Sequence, residues 1–218
     1  MAQPHQYGKH FVDRQIVPHL APFPLLRNVF AKLGRERFIT DIPLSVAYSD
    51  ALLKTSQDRF LLPPLMLAKI FHHLTPNADD SAMVVAGGGG YTAGILSFLC
   101  ATVFLFETDE ISLKSIYTIY DQCNINNVVP IQGKLREGLS KQGPFDWILF
   151  DVGVDVVPQF FFNQLKDKGK LIVCVIKGPN FGEITCFSKT GLTVEKTVLF
   201  EGYIPTIPHF NESVEFTF

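Results

Sequence analysis

No apolar run in the chain is long enough to cross a bilayer. The longest, Ile95 to Phe106, is about a dozen residues and carries Ser97 and Thr102, where a spanning helix needs roughly 20. Met1 to Gln15 contains no apolar core of a secretory signal, so a cytoplasmic location is expected. Charge of one sign is also lacking: 19 Lys and Arg stand against 21 Asp and Glu, a net −2, and the basic residues are scattered. That excludes the electrostatic footprint of a nucleic-acid binder and a polybasic membrane patch. The expected partner is a small molecule or a polypeptide. Cysteine is scarce, at 100, 123, 174 and 186, with no C-x-x-C spacing and no zinc pattern among the six histidines. Cys100 and Cys174 lie in apolar runs and read as small buried hydrophobes of a reducing compartment. His72 and His73 are adjacent, point to different faces of a helix and cannot chelate together. No metal is expected. A G-x-S-x-G elbow and a Ser-His-Asp grouping are absent too.

What is present describes one globular domain with a sizeable core: 218 residues, 47% hydrophobic and 18% charged. Residues 1–45 carry prolines at 18, 22, 24 and 43 around one amphipathic stretch, with apolar positions 25, 26, 29, 30 and 33 at helical spacing. They read as a helical appendage to a main domain over 46–218. Pro63-Pro64 opens a second helix, Leu65 to Leu74. Strands are expected at Ser81–Ala86, Val103–Phe106, Val128–Ile131, Phe145–Phe150 and Lys170–Ile176. Helices alternate with them at Tyr91–Cys100, Ile111–Cys123 and Pro158–Lys166. This alternation predicts an α/β fold with a largely parallel sheet. After residue 182 only strands follow, Glu183–Ser188, Leu192–Phe200 and Val214–Phe218, which predicts an antiparallel C-terminal edge.

The strongest local signal is the buried strand ending at Ala86, followed by Gly87, Gly88, Gly89 and Gly90 and then a helix beginning at Tyr91. Glycine permits a tight turn and lets a ligand approach the main chain, with helix amides behind it. In a doubly wound sheet, a nucleoside ligand lies at this first strand-to-helix turn. Glu107, at the end of the next strand, can accept hydrogen bonds from both ribose hydroxyls. Asp109 and Glu110 are nearby alternatives. A dinucleotide dehydrogenase would use the same two features, but the spelling is not G-x-G-x-x-G and 80 residues precede it. Asp146 and Asp151 flank the fourth strand. Asp146 opens it beside a turn and reads as structural, whereas Asp151 closes it at the ligand edge, where a loop cap is the alternative.

These residues also carry a family resemblance, from about Phe11 to the C-terminus. Val12-Asp13-Arg14-Gln15 and Leu33-Gly34-Arg35-Glu36-Arg37-Phe38-Ile39 resemble the V-D-x-Q and V-P-R-E-x-F-V segments of the protein-L-isoaspartate O-methyltransferases. Ala47-Tyr48-Ser49-Asp50 with Leu53 resembles their A-Y-x-D-x-x-L. Gly90-Tyr91 resembles the end of their glycine motif, and Gly143-Pro144-Phe145-Asp146 resembles A-P-[FY]-D. Gln164-Leu165 and Gly169-Lys170-Leu171 resemble Q-L-x-x-G-G-[RK]-L. The resemblance implies a Rossmann-like methyltransferase fold with a mostly parallel seven-stranded sheet. It implies S-adenosyl-L-methionine as cofactor, held by Ala86, Gly87 to Gly90, Tyr91, Glu107, Lys134 and Asp151. It further implies a protein or peptide carboxylate as methyl acceptor.

The chain departs from that pattern at defined places. Val84 replaces an acidic residue, Ala86 replaces the first glycine, and Gly133-Lys134-Leu135 replaces G-D-G. The T-I-S-Q-P element falls without gaps on Phe60-Leu61-Leu62-Pro63-Pro64, so the family serine is Leu62. Phe60, Leu61, Leu62 and Pro63 are then expected to line the acceptor side, with Ser56 as a substitute hydroxyl only after a register shift. Methyl transfer needs mainly binding and alignment, because the leaving group is already activated and a carboxylate needs no base. Three readings follow: an isoaspartyl methyltransferase, a methyltransferase for another small acceptor, or a non-catalytic binding protein on the same fold.

Overall fold

The computed structural model of the chain describes residues 8, 11–16, 24–55, 59–74 and 76–210. The expected strand Val214–Phe218 and the candidate Ser56 lie outside them. After a π-helical turn at Val12–Ile16, the elements are α1 (Pro24–Lys32), a 3-10 turn at Arg35–Phe38, α2 (Leu44–Ala47), β1 (Leu53–Lys54), β2 (Phe60–Leu61) and α3 (Pro64–Leu74). The main domain continues with β3 (Ser81–Val85), α4 (Tyr91–Leu96), β4 (Thr102–Glu107), α5 (Glu110–Gln122) and β5 (Val128–Gln132). It closes with β6 (Phe145–Val154), α6 (Phe160–Asn163), β7 (Leu165–Gly178), β8 (Phe181–Thr190) and β9 (Thr193–Glu201).

Strands β3 to β9 form one seven-stranded sheet in the order β5-β4-β3-β6-β7-β8-β9. Its first five members pair in parallel, and β8 and β9 are antiparallel. The parallel strands are apolar on both faces because both faces are covered. Along β6, Trp147 and Leu149 join one core, while Ile148, Phe150, Val152 and Val154 join the other. The first core also takes in Phe11, Val12, Ile16, Leu26, Val29, Phe30 and Leu33, so the N-terminal residues cover that face directly.

One expected helix shifts in extent. The helix expected over Pro158–Lys166 shortens to Phe160–Asn163, because Gln164 is drawn into pairing. Its carbonyl accepts from the Phe145 amide at 2.8 Å and its side-chain Oε1 from the Leu139 amide at 2.7 Å. Leu165 then starts β7. Beyond β9 the chain returns across the sheet. The Gly153 amide of β6 donates to the Pro205 carbonyl at 2.9 Å; Ile204 enters the first core, and Ile207 and Phe210 enter the second.

The strand order sets the ligand edge. The chain runs outward through β3, β4 and β5, then returns to place β6 on the other side of β3. The crevice at such a reversal lies beyond the C-terminal ends of β3 and β6. β3 ends at Val85, whose register partner on β6 is Phe150.

Candidate cofactor and acceptor site

Ala86 leaves β3 with φ 56° while its amide donates to the Phe106 carbonyl at 2.9 Å. This is the left-handed region, where a Cβ is unfavourable, which is the physical reason a glycine suits the position. Gly87 to Gly90 then turn into α4, closed by the Gly90 amide donating to the Gly87 carbonyl at 2.7 Å. The Tyr120 hydroxyl of α5 donates to the Gly90 carbonyl at 2.6 Å and holds the turn from behind. Tyr91 itself points into the core. Its ring meets Phe38 edge-on at 5.4 Å and lies under the Arg35 guanidinium at 5.3 Å.

Glu107 and Asp151 converge on this turn. A Cβ added to Gly88 would stand 2.9 Å from Glu107 Oε2, and one on Gly87 would stand 3.5 Å from Asp151 Oδ2. Both side chains are buried. The two alternatives to Glu107 are otherwise engaged. Asp109 caps α5, accepting from the Ser112 amide at 2.6 Å, and the exposed Glu110 pairs with Lys114 at 2.8 Å. Asp151 is held unionised by its surroundings. Burial pushes its carboxyl up to about 8, opposed by a hydrogen bond from Thr92 and helped to a smaller extent by the Glu107 charge. Its Oδ1 is buried without a partner among the described residues. Lys134 follows Gly133, whose amide donates to the Glu107 carbonyl at 2.9 Å, but its side chain is solvent-exposed and pairs with Glu137. Asp146 sits at the opposite edge, accepting from Ser81 and from Lys166 Nζ at 2.6 Å, in keeping with a structural role.

Arg59 is the residue the sequence did not single out. It precedes β2 on a short hairpin whose closure is marked by the Thr55 amide donating to the Arg59 carbonyl at 2.8 Å. Its Nε donates to Glu107 Oε2 at 2.8 Å and its Nη2 to Oε1 at 2.7 Å. The side chains are 9% and 0% exposed, so this is a buried, two-pronged ion pair. The Arg59 stem lies flat on the turn, with Cγ 2.5 Å from where a Gly88 Cβ would be.

Leu61 and Leu62 turn inward, Leu61 Cδ2 packing against Gly89 of the turn. Each is 1% exposed and belongs to the core, because an apolar side chain gains most by leaving water. Their carbonyls, not their side chains, are used. Buried Arg35 donates to Leu62 O at 2.5 Å, to Ala51 O at 2.9 Å and to Leu61 O at 3.3 Å. Desolvation lowers the Arg35 pKa to about 10, so the group remains a cation at neutral pH. Phe60 and Pro63 are half-buried. A cavity of about 250 Å³ does open beside the turn, lined by Gly88, Gly89, Lys54, Thr55, Ser112 and Ser115 among others; its walls include none of residues 60–63.

Comparison with known proteins shows the family and the fold. A family model described as Protein-L-isoaspartate(D-aspartate) O-methyltransferase (PCMT) matches residues 18–209. A Protein-L-isoaspartate O-methyltransferase of Trichlorobacter lovleyi is 29% identical over 167 residues, 77% of this chain and 77% of its own. One of Parvibaculum lavamentivorans is 29% identical over 174 residues, covering 79% and 78%. Among solved structures, a Plasmodium falciparum beta-aspartate methyltransferase (PCMT) in complex with S-adenosyl-L-homocysteine superposes with a TM-score of 0.79. The match spans 93% of this chain and 98% of that one at 16% identity, a likeness of fold.

Proposed function

Since the chain belongs to the protein-L-isoaspartate(D-aspartate) O-methyltransferase family, we propose that it transfers a methyl group from S-adenosylmethionine to a carboxylate of isoaspartyl residues in damaged proteins or peptides. The observation that carries this reading is the meeting of a bare glycine turn with two buried carboxyls at the sheet's reversal point. The residues suit the cofactor in chemistry. Gly87 to Gly90 give the turn its tight backbone, Glu107 is a carboxylate of the kind that accepts from a diol, and the orphaned Asp151 Oδ1 calls for a polar partner. The cofactor supplies an activated methyl carbon on a sulfonium. The protein's part is to hold and align two ligands and to exclude water. Protonated Asp151 offers a hydrogen-bond donor there without adding a second negative charge beside Glu107.

The reading places the protein in the cytoplasm, in keeping with four free thiols. It is tested by incubating the protein with S-adenosylmethionine and paired isoaspartyl and aspartyl peptides. Base-labile methyl ester on the isoaspartyl peptide alone supports it. Buried Leu62 favours one second reading, a methyltransferase for another small acceptor. Retained cofactor binding with no ester on either peptide would support that instead.

A further inference from the structure

Glu107 has almost no acceptor capacity to spare. Its Oε1 accepts from Arg59 Nη2 at 2.7 Å, the Thr108 amide at 2.6 Å and the Thr108 hydroxyl at 3.0 Å, and its Oε2 from Arg59 Nε at 2.8 Å. An ionised carboxylate offers about four lone-pair positions. A ribose presents two hydroxyl donors to it, and Arg59 holds the places they need. The stem of Arg59 also covers Gly88, where the turn would otherwise admit a ligand to the main chain. We propose that Arg59 is a built-in competitor of the cofactor: the Arg59–Glu107 pair closes the adenosyl site, and binding requires the guanidinium to leave Glu107 to the ribose diol.

The placement of Arg59 makes this exchange feasible. Two-residue strands β1 and β2 hold its hairpin, and the Arg59 side chain keeps 9% of its surface exposed where Glu107 keeps none. Glu107 is rooted in a central strand, is fully buried, and cannot turn outward. The mobile partner of the pair is therefore the arginine. Asp151, the other buried acid at the turn, cannot relieve it as a counter-anion while it stays protonated. Tyr120, another titratable group at the turn, has its hydroxyl committed to Gly90.

This inference rests on the proposed cofactor, and calorimetric titration with S-adenosylhomocysteine separates the two. Arg59→Ala and Arg59→Gln are expected to bind at least tenfold more tightly than the parent. The rise in melting temperature at saturating ligand should also be larger in the variants, even though both melt lower than the parent without ligand. A merely structural arginine would lower the melting point and leave affinity unchanged or reduced; that result would overturn the proposal. In the parent protein, the Arg59 Nε–H resonance, assigned by its loss in Arg59→Gln, should move when ligand saturates the site. An unmoved resonance would also overturn it. Tighter binding by the variants with no ester formed on isoaspartyl peptide would leave the competitor standing and remove only the acceptor reading. No binding by parent or variants would remove both this proposal and the cofactor.

Discussion

The Ala86 amide is tied to the Phe106 carbonyl of the neighbouring strand at 2.9 Å while Ala86 itself stands at φ 56°. The hydrogen bond fixes a backbone conformation that an L-residue enters at a cost of about 1–2 kcal/mol. Ala86→Gly removes the steric cost and loses one small buried methyl, so it is expected to stabilise the protein by up to about 1 kcal/mol. In thermal unfolding that is a rise of about 2–4 °C for a chain of this size. A fall in melting temperature would contradict the account.

Leu62→Ser is expected to damage the fold without creating a working acceptor site. The side chain is 1% exposed in the core, and its removal leaves a cavity and a hydroxyl to satisfy. The expected loss is about 3 kcal/mol, read by urea denaturation. A gain in methyl transfer to isoaspartyl peptide at unchanged stability would show that position 62 faces the acceptor after all.

Glu107→Leu removes the partner of the Arg59 cation, and because the arginine can turn away the expected cost is about 1–3 kcal/mol. The double variant Arg59→Met/Glu107→Leu is expected to recover most of it, because apolar groups of similar volume pack where the ion pair stood. A double-mutant cycle in urea measures this, and additive losses would mean the two side chains are not coupled.

Asp151 gives a pH signature. Its folded pKa, about 8, lies above the ordinary carboxylate value of 3.8, so the native state binds the extra proton between those values. Stability contributed by the protonated form is complete below about 4 and is lost as pH rises through about 8. Asp151→Asn cannot ionise. Its melting temperature relative to the parent should therefore climb steadily from pH 4 to pH 8. A difference that stays flat with pH would show that Asp151 is ionised in the native protein.

The fold was legible where burial is two-sided. Ser81–Val85 and Phe145–Phe150 announce themselves as short apolar runs because helices cover both sheet faces, and Gly87 to Gly90 mark the turn because the geometry there excludes side chains. The hairpin of β1 and β2 was not legible, since two-residue strands show no period. Arg59 was missed for a different reason. Its partner is 48 residues away in sequence, and only the sheet order brings hairpin and strand end together. Family register identified the position of Leu62 but not the direction of its side chain, which the core decides.

The return of the chain across β6 has a consequence for how the molecule comes apart. Ile204 is locked into one core while Ile207 and Phe210, three and six residues on, are locked into the other, with Gly153 free of a side chain that would strike the Ile204 carbonyl. The Ile204 amide further contacts Cys174 Sγ at 3.4 Å, and Arg136 Nε donates to the His209 carbonyl at 2.6 Å. Seven residues thus rivet the two sides of the sheet to each other, and neither side can melt first without pulling this stitch out of its neighbour. The two cores are therefore expected to melt together in one cooperative transition.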